Sequence, residues 1–453
     1  MTRVLAGARG SRRMTLLSLV GALYMMVSGG PYALEELARD VGFGRAVVVL
    51  LAVPLFWSVP TALMVGELAS ALPEEGGYYA WVRRGLGPFW GFQEAWLSLV
   101  ASVFDMALYP TFFTLYLARL VPALGVWPNA PIVTGALVIA VAAAYNVSGA
   151  RAVGNGSAAM AVLLIGPFAV MVALVVFGHS VPVALAAPHR EASGATDLAG
   201  AIVVAMWNYM GWDNASTVAG EVERPQRTYP RAVFLAVGLV AITYVVPFAA
   251  MALAGVDASS WDTGAWADEA RAVGGTPLGI AVVVGGMVSG FGMCTALSLS
   301  YSRLPLALAE DGLLPRAFAH RTRRGVPWVS LLVCAVVWTL SLGMSFERLV
   351  TLDIVLYGSS LLLEFAALVA LRLREPGLAR PFRVPGGLAV VVALGVGPLG
   401  LLGFALVKNA SERVGPMSAP LFAGALMLLG PLAYMAVRRL LPRAGKTAQG
   451  LAP

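Results

Sequence analysis

Twelve apolar stretches, each long enough to cross a bilayer, run through this 453-residue chain with short connections between them. They cover 14–39, 44–71, 89–121, 131–147, 155–178, 198–222, 231–255, 277–303, 327–344, 350–372, 387–407 and 417–437. A membrane helix needs about 20 mostly apolar residues. Charged residues make up 12% of the chain, against about 25% in a soluble domain, so a soluble globular fold is excluded. Arg3, Arg9, Arg12 and Arg13 precede the first stretch, and no small-residue cleavage site precedes its break. That reads as an uncleaved first span rather than a signal peptide.

Two of the stretches are interrupted. The first breaks at Val27-Ser28-Gly29-Gly30-Pro31 and resumes from Tyr32 with Glu35, Glu36 and Arg39 in its pattern. Two glycines followed by proline do not propagate an α-helix, because glycine is entropically loose and proline lacks a donor. The sixth stretch breaks at Trp207-Asn208-Tyr209-Met210-Gly211-Trp212-Asp213-Asn214 and resumes from Ala215. In a bilayer the backbone groups freed by a break must meet protein or line a wet cavity, and transporters use such breaks to build sites. The alternative is a plain kink. Breaks heading stretches 1–5 and 6–10 predict two five-helix units of opposite orientation. The expected fold is therefore an all-α membrane protein of twelve transmembrane helices, a 5+5 inverted repeat with helices 1 and 6 broken, plus two C-terminal helices. Its parts are a tail 1–13, a first repeat 14–178, a second repeat 198–372, helices 11 and 12 over 387–437, and a tail 438–453.

With the N-terminus inside, 23 Lys and Arg fall on the inner side and 8 on the outer. That bias predicts both termini in the cytoplasm and a multi-pass protein of the plasma (inner) membrane. It also accounts for the net charge of +7 without a nucleic-acid partner. Cys294 and Cys334 lie in apolar stretches, so no disulfide framework is implied, and the cysteine-free loop 122–130 leaves no disulfide-linked subunit expected. His179, His189 and His320 lack metal-ligand spacing. No phosphate-binding loop or nucleophile elbow occurs, so neither an ATP-driven pump nor a hydrolase is supported, and no cofactor is implied.

Several motifs fall in order along the first ten stretches and their loops: Ser28-Gly29-Gly30-Pro31 with Glu35, then Leu72-Pro73-Glu74-Glu75-Gly76-Gly77-Tyr78 and Leu86-Gly87-Pro88-Phe89-Trp90-Gly91-Phe92-Gln93. Asp105 to Pro110, Trp212 to Val222, Ser302-Arg303, Glu310 to Pro315, Leu363-Glu364-Phe365 and Arg380-Pro381-Phe382 follow. With these the chain resembles the amino acid–polyamine–organocation superfamily, and within it the branch of plant polyamine-uptake and L-type amino acid transporters. The resemblance implies a LeuT-type fold and a cationic or zwitterionic substrate, often moved with protons. Some proton-driven members carry a lysine in the fifth helix; the stretch 155–178 has none.

Backbone groups at the first break, over Ser28, Gly29 and Gly30, are candidates for a substrate carboxylate, and carbonyls near Ala205 to Asn208 for an amine. Side chains discriminate better. Asp105 sits about 24 Å along the third stretch from Phe89, where a carboxylate costs about 2.5–3.5 kcal/mol on insertion scales and usually has a function. Its alternative is a hydrogen bond that only tethers helices. Tyr109, at i+4, shares its face. Glu35 either neutralises an amine or pairs with Arg39 at i+4. Asp213 either faces the site or caps the resumed sixth helix. Glu364 is either a proton site or a buried acceptor, and Glu67 reads as a structural acceptor. Glu94 and Asp353 lie nearer the ends of their spans.

Tyr109, Trp207, Tyr209 and Trp212 are aromatic rings expected where a cation is held, each worth about 0.5–2 kcal/mol, and the resemblance implies Tyr357 opposite them; core packing is the alternative for any one of them. Gly285, Gly286 and Gly290 read as close helix packing, and Ser298 and Ser300 as a weaker ion-site candidate.

The substrate-binding set is thus Ser28, Gly29, Gly30, Glu35, Asp105, Tyr109, Trp207, Asn208, Tyr209, Gly211, Trp212, Asp213 and Tyr357, with Asp105 and Glu364 as proton-coupling candidates. Acids without deep basic partners favour an amine that carries no carboxylate. The expected function is import of polyamines such as putrescine or spermidine, coupled to protons, with sodium left open, by alternating access. The alternative is an amino acid permease or exchanger of the same fold. A nutrient sensor that binds without transport ranks lower, because neither end carries a soluble signalling domain.

Overall fold

The computed structural model describes residues 13–178 and 197–440. His179, His189 and most of both tails lie outside the described residues. Apart from a two-stranded antiparallel hairpin, Arg413–Val414 with Met417–Ser418, the regular structure among them is helical. Up to residue 178 the chain forms α1 (Leu16–Val27), α2 (Glu35–Phe56), α3 (Ser58–Ala71), α4 (Tyr78–Leu86), α5 (Pro88–Leu120), α6 (Ala123–Val126), α7 (Ala130–Asn146) and α8 (Ala150–Phe177). After it come α9 (Leu198–Asn208), α10 (Pro225–Ala254), α11 (Ala265–Tyr301), α12 (Arg303–Glu310), α13 (Trp328–Trp338) and α14 (Phe346–Arg374). The chain closes with α15 (Gly387–Leu394), α16 (Val396–Lys408) and α17 (Ala419–Leu440).

Among the described residues, eight helical segments are long and apolar enough to cross a membrane, and four shorter apolar helices accompany them: α1, α7, α9 and the segment Trp328–Ser341. Leu51, Leu55, Phe56, Val162, Leu163 and Phe177 are exposed large hydrophobics, an arrangement that suits lipid and not water.

Both interruptions are real breaks in the backbone. Helix α1 ends at Val27 and α2 begins at Glu35, with Gly30 at φ +74° between them. Helix α9 ends at Asn208, and what resumes at Asn214 is a 3-10 helix to Glu221 rather than an α-helix. Gly211, at φ +96°, lies in that second gap; a Cβ there would stand 2.6 Å from the Met26 carbonyl oxygen. The two breaks therefore meet backbone to backbone.

Helix α11 packs along both α5 and α8, and α14 along α5. The close approach of α11 uses its glycines. A Cβ on Gly286 would lie 2.5 Å from the Tyr116 ring and one on Gly290 would lie 2.5 Å from the Tyr109 carbonyl oxygen, so this face admits no side chain. Small-residue contacts of this kind let membrane helices gain dispersion energy where no hydrophobic drive operates.

Buried ion pairs lock one end of the bundle. Glu67 takes Arg372 Nε at 2.7 Å, Arg380 Nε at 3.1 Å and the Val384 amide at 2.8 Å, which agrees with a structural acceptor. Arg303, fully buried, donates to Glu221 at 2.7 Å and to the Leu299 carbonyl at 2.7 Å. The Met14 amide donates to the Glu221 carbonyl at 2.8 Å and the Glu223 amide to Met14 at 2.9 Å, so the start of the described chain is stitched to the segment after the second break. Arg83 with Asp311 and Arg321 with Glu75 and Glu310 complete this ionic end.

Candidate functional site

A small cavity lies where the two breaks face α5, α11 and α14. Broken helices end there because their freed backbone groups need partners that a continuous helix would have supplied internally. From α5 come Asp105, Tyr109 and Phe112; from α9 and the break that follows it, Trp207, Asn208, Met210, Gly211 and Asn214. Helix α14 contributes Asp353 and Tyr357, α11 contributes Ser289 and Tyr301, and the first break contributes Gly29 and Tyr32. No lysine, arginine or histidine is among the lining residues.

Asp105 is the best-organised group in the cavity. Tyr109 donates to its Oδ1 and Tyr301 to its Oδ2 at 2.9 Å. The i,i+4 spacing puts Tyr109 directly above Asp105 on α5. Asp353 lies on the facing helix beside Trp207, close enough to interact electrostatically with Asp105. Two carboxylates thus face one space with hydroxyls but no fixed cation. Trp207, Phe112 and Phe346 form an aromatic wall with ring centres 5.4–6.2 Å apart.

Of the sequence-derived set, Gly29, Asp105, Tyr109, Trp207, Asn208, Gly211 and Tyr357 line this cavity. The others sit elsewhere. Ser28 Oγ accepts the Gly30 amide at 3.0 Å, so that donor is already engaged. Tyr209 donates to the Leu50 carbonyl at 2.9 Å, and Trp212 is fully buried away from the cavity. Glu35 accepts from Tyr116 at 2.6 Å and from the Gly264 amide at 3.1 Å; Arg39 turns to Asp40 instead. Asp213 makes no side-chain cap on the helix that follows and takes the Tyr357 hydroxyl. Glu364 is fully buried outside the cavity lining, near Asp213. Ser298 and Ser300 bond to the Cys294 and Asn214 carbonyls at 2.7 and 2.8 Å. Among the described residues no cluster of His, Cys, Asp and Glu could hold a metal ion.

Sequence reasoning passed over Asp353, Tyr301 and Asn214 as lining residues. Asp353 carried a usable signal: it is four residues before Tyr357 and eleven before Glu364, which keeps all three within about 40° on one helix face. Tyr301 and Asn214 carried none, because their positions depend on how α11 and the second break pack.

Above the cavity, Tyr32 packs edge-on to Tyr116 and Phe168, and Trp266 to Phe168, Phe248 and Trp261. Trp266 Nε1 also donates to the Pro31 carbonyl at 3.0 Å. This aromatic block contrasts with the ionic end formed by Glu67, Arg303 and Arg321.

A family model described as amino acid permease matches residues 14–430. The polyamine transporter RMV1 of Arabidopsis thaliana is 35% identical over 399 residues, 86% of this chain and 80% of that protein. The polyamine transporter PUT1 of Oryza sativa subsp. japonica is 36% identical over 431 residues, 95% of this chain and 80% of that one.

Proposed function

The chain belongs to the amino acid permease family, and on that premise we propose that it imports polyamines of the putrescine and spermidine class. It is a multi-pass membrane protein and a transporter, not an enzyme. Uptake in this reading is secondary active transport by alternating access, driven by protons, through twelve spans in a LeuT-type 5+5 inverted repeat. The repeats are 14–178 and 198–372, helices 11 and 12 follow over 387–437, and both tails lie in the cytoplasm beneath the plasma membrane.

The observation that carries the proposal is the pairing of Asp105 and Asp353 across a cavity lined by no basic side chain. An amine without a carboxylate needs acids to neutralise it and rings to wall it, and it needs no anion-binding donor. The zwitterionic alternative needs free backbone amides at the first break, where the Gly30 amide is already held by Ser28. Asp105 is the primary counter-charge in this account, Asp353 the second, and Trp207, Tyr109 and Tyr357 shape the wall. Glu35 acts on the aromatic block rather than on the amine. The two unlike closures, aromatic above and ionic below, support alternating access, since each can open without disturbing the other.

The test is uptake into proteoliposomes of labelled putrescine, spermidine, arginine and leucine, with and without an inward proton gradient. Diamine and triamine uptake stimulated by acid outside supports the reading. Transport of leucine or arginine alone contradicts it.

A further inference from the structure

Helices α5 and α14 each carry a second carboxylate at the same interval from the first. Glu94 precedes Asp105 by eleven residues, and Glu364 follows Asp353 by eleven. On an α-helix eleven residues return to within about 20° of the starting face and rise about 16 Å. Because the two intervals run in opposite senses along their chains, the second acids meet at one level, as the first pair does. Glu94 and Glu364 lie near each other and near Asp213.

This level is sealed. Glu94 and Glu364 are fully buried and Asp213 is 2% exposed. Ser98 donates to Glu94 Oε1 at 2.8 Å and Tyr357 donates to Asp213. Glu94 Oε2 and both oxygens of Glu364 have no hydrogen-bond partner. The Tyr78 hydroxyl, from α4, faces the same three carboxyls and is equally buried and unpartnered. The groups turned toward Glu364 are therefore Glu94 from α5, Asp213 from the second break, Tyr78 from α4 and Tyr357 from its own helix. The next charges along α14, Arg372 and Arg380, are committed to Glu67. No basic side chain bonds to any of the three acids among the described residues, and no metal-holding group forms there.

Neighbouring carboxyls buried without a cation are not all ionised together; some hold a proton. We propose that Glu94, Asp213 and Glu364, with the Tyr78 hydroxyl, form a proton-carrying site separate from the substrate cavity, linked to it through Tyr357. Tyr357 lines the cavity, donates to Asp213 and accepts the Gly211 amide at 3.0 Å. A change of protonation at Asp213 alters that bond and so shifts the backbone of the second break. In transport, a proton on a Glu364 or Glu94 carboxyl oxygen leaves as a hydronium ion to water on the ionic side and is replaced from the opposite side. The inference rests on the reading of this chain as a proton-driven importer and assigns the proton to a site other than the one that holds the amine.

The test uses the full chain in proteoliposomes loaded with a pH-sensitive dye, with labelled putrescine as substrate. Wild type accumulates putrescine down an inward proton gradient and moves protons with it. Glu364→Gln and Glu94→Gln are each expected to lower accumulation by about tenfold or more and to flatten its pH profile. Entrance counterflow without a proton gradient is expected to stay within about threefold of wild type. The double variant is expected to lose no more than either single one, since the acids act as a unit. Two outcomes overturn the inference: variants that keep wild-type accumulation and pH profile, or monodisperse variants that lose counterflow and accumulation together. Failure of the substrate reading looks different, because wild type then carries no putrescine at all.

Discussion

Tyr357 donates its hydroxyl hydrogen to Asp213 and accepts the Gly211 amide at 3.0 Å, so one side chain of α14 holds the second break from both sides. That link joins the substrate cavity to the buried acids outside it. It also fixes the unwound segment, whose backbone would otherwise need other partners. Tyr357→Phe leaves a buried carboxylate and a buried amide each short of a partner. Such a loss costs about 1–3 kcal/mol. The expected result is a lower melting temperature in detergent and a reduced rate of putrescine uptake, with protein of normal size on gel filtration.

Trp207 lines the cavity with Asp105, tilted against Phe112 and edge-on to Phe346. Trp207→Ala is expected to remove about 0.5–2 kcal/mol of cation–π attraction, read as a weaker apparent affinity for putrescine in uptake kinetics. Trp207→Phe is expected to recover part of it.

Glu67 and Glu375 test how burial sets the worth of an ion pair. Glu67 is fully buried between Arg372 and Arg380, so Glu67→Gln strands buried charge and is expected to cost about 3–5 kcal/mol. Glu375 meets Arg84 at the surface, which holds its carboxyl below the usual range. Its contribution is present at neutral pH and fades as acid protonates it. Glu375→Gln is expected to cost less than about 1 kcal/mol. Thermal unfolding of both variants in one detergent checks the contrast.

Gly211→Ala places a Cβ at φ +96° and 2.6 Å from the Met26 carbonyl oxygen. A strained backbone of this kind costs about 1–3 kcal/mol before the clash is counted. The expected outcome is loss of uptake with little folded protein recovered, whereas Gly238→Ala, where a Cβ meets open space, is expected to behave as wild type.

Local chemistry was legible in the sequence wherever it decides the backbone. Gly29-Gly30-Pro31 and the Asn208 to Asn214 stretch interrupt apolar runs, and the helices stop at Val27 and Asn208. The glycines of α11 announced a close approach, and Gly286 and Gly290 leave no room for a side chain against α5. What was not legible depends on packing between distant segments. Linear position put Asp353 near the end of its span, yet α14 begins earlier, at Phe346, and Asp353 lines the cavity together with Trp207. Glu35 has Arg39 four residues on, but Tyr116 and Gly264 from other elements take its oxygens. The equal eleven-residue intervals on α5 and α14 become meaningful only once the two helices lie side by side.

The most direct test is uptake of labelled putrescine and of labelled leucine by wild type, Asp105→Asn and Asp353→Asn, measured side by side in proteoliposomes with acid outside. Removing a charged partner of a buried ammonium costs about 1.5–3 kcal/mol. The account predicts that wild type takes up putrescine and not leucine. Each variant then loses about tenfold or more of that uptake, with Asp105→Asn the more severe. Leucine uptake by wild type that survives Asp105→Asn, with no uptake of putrescine, would contradict it.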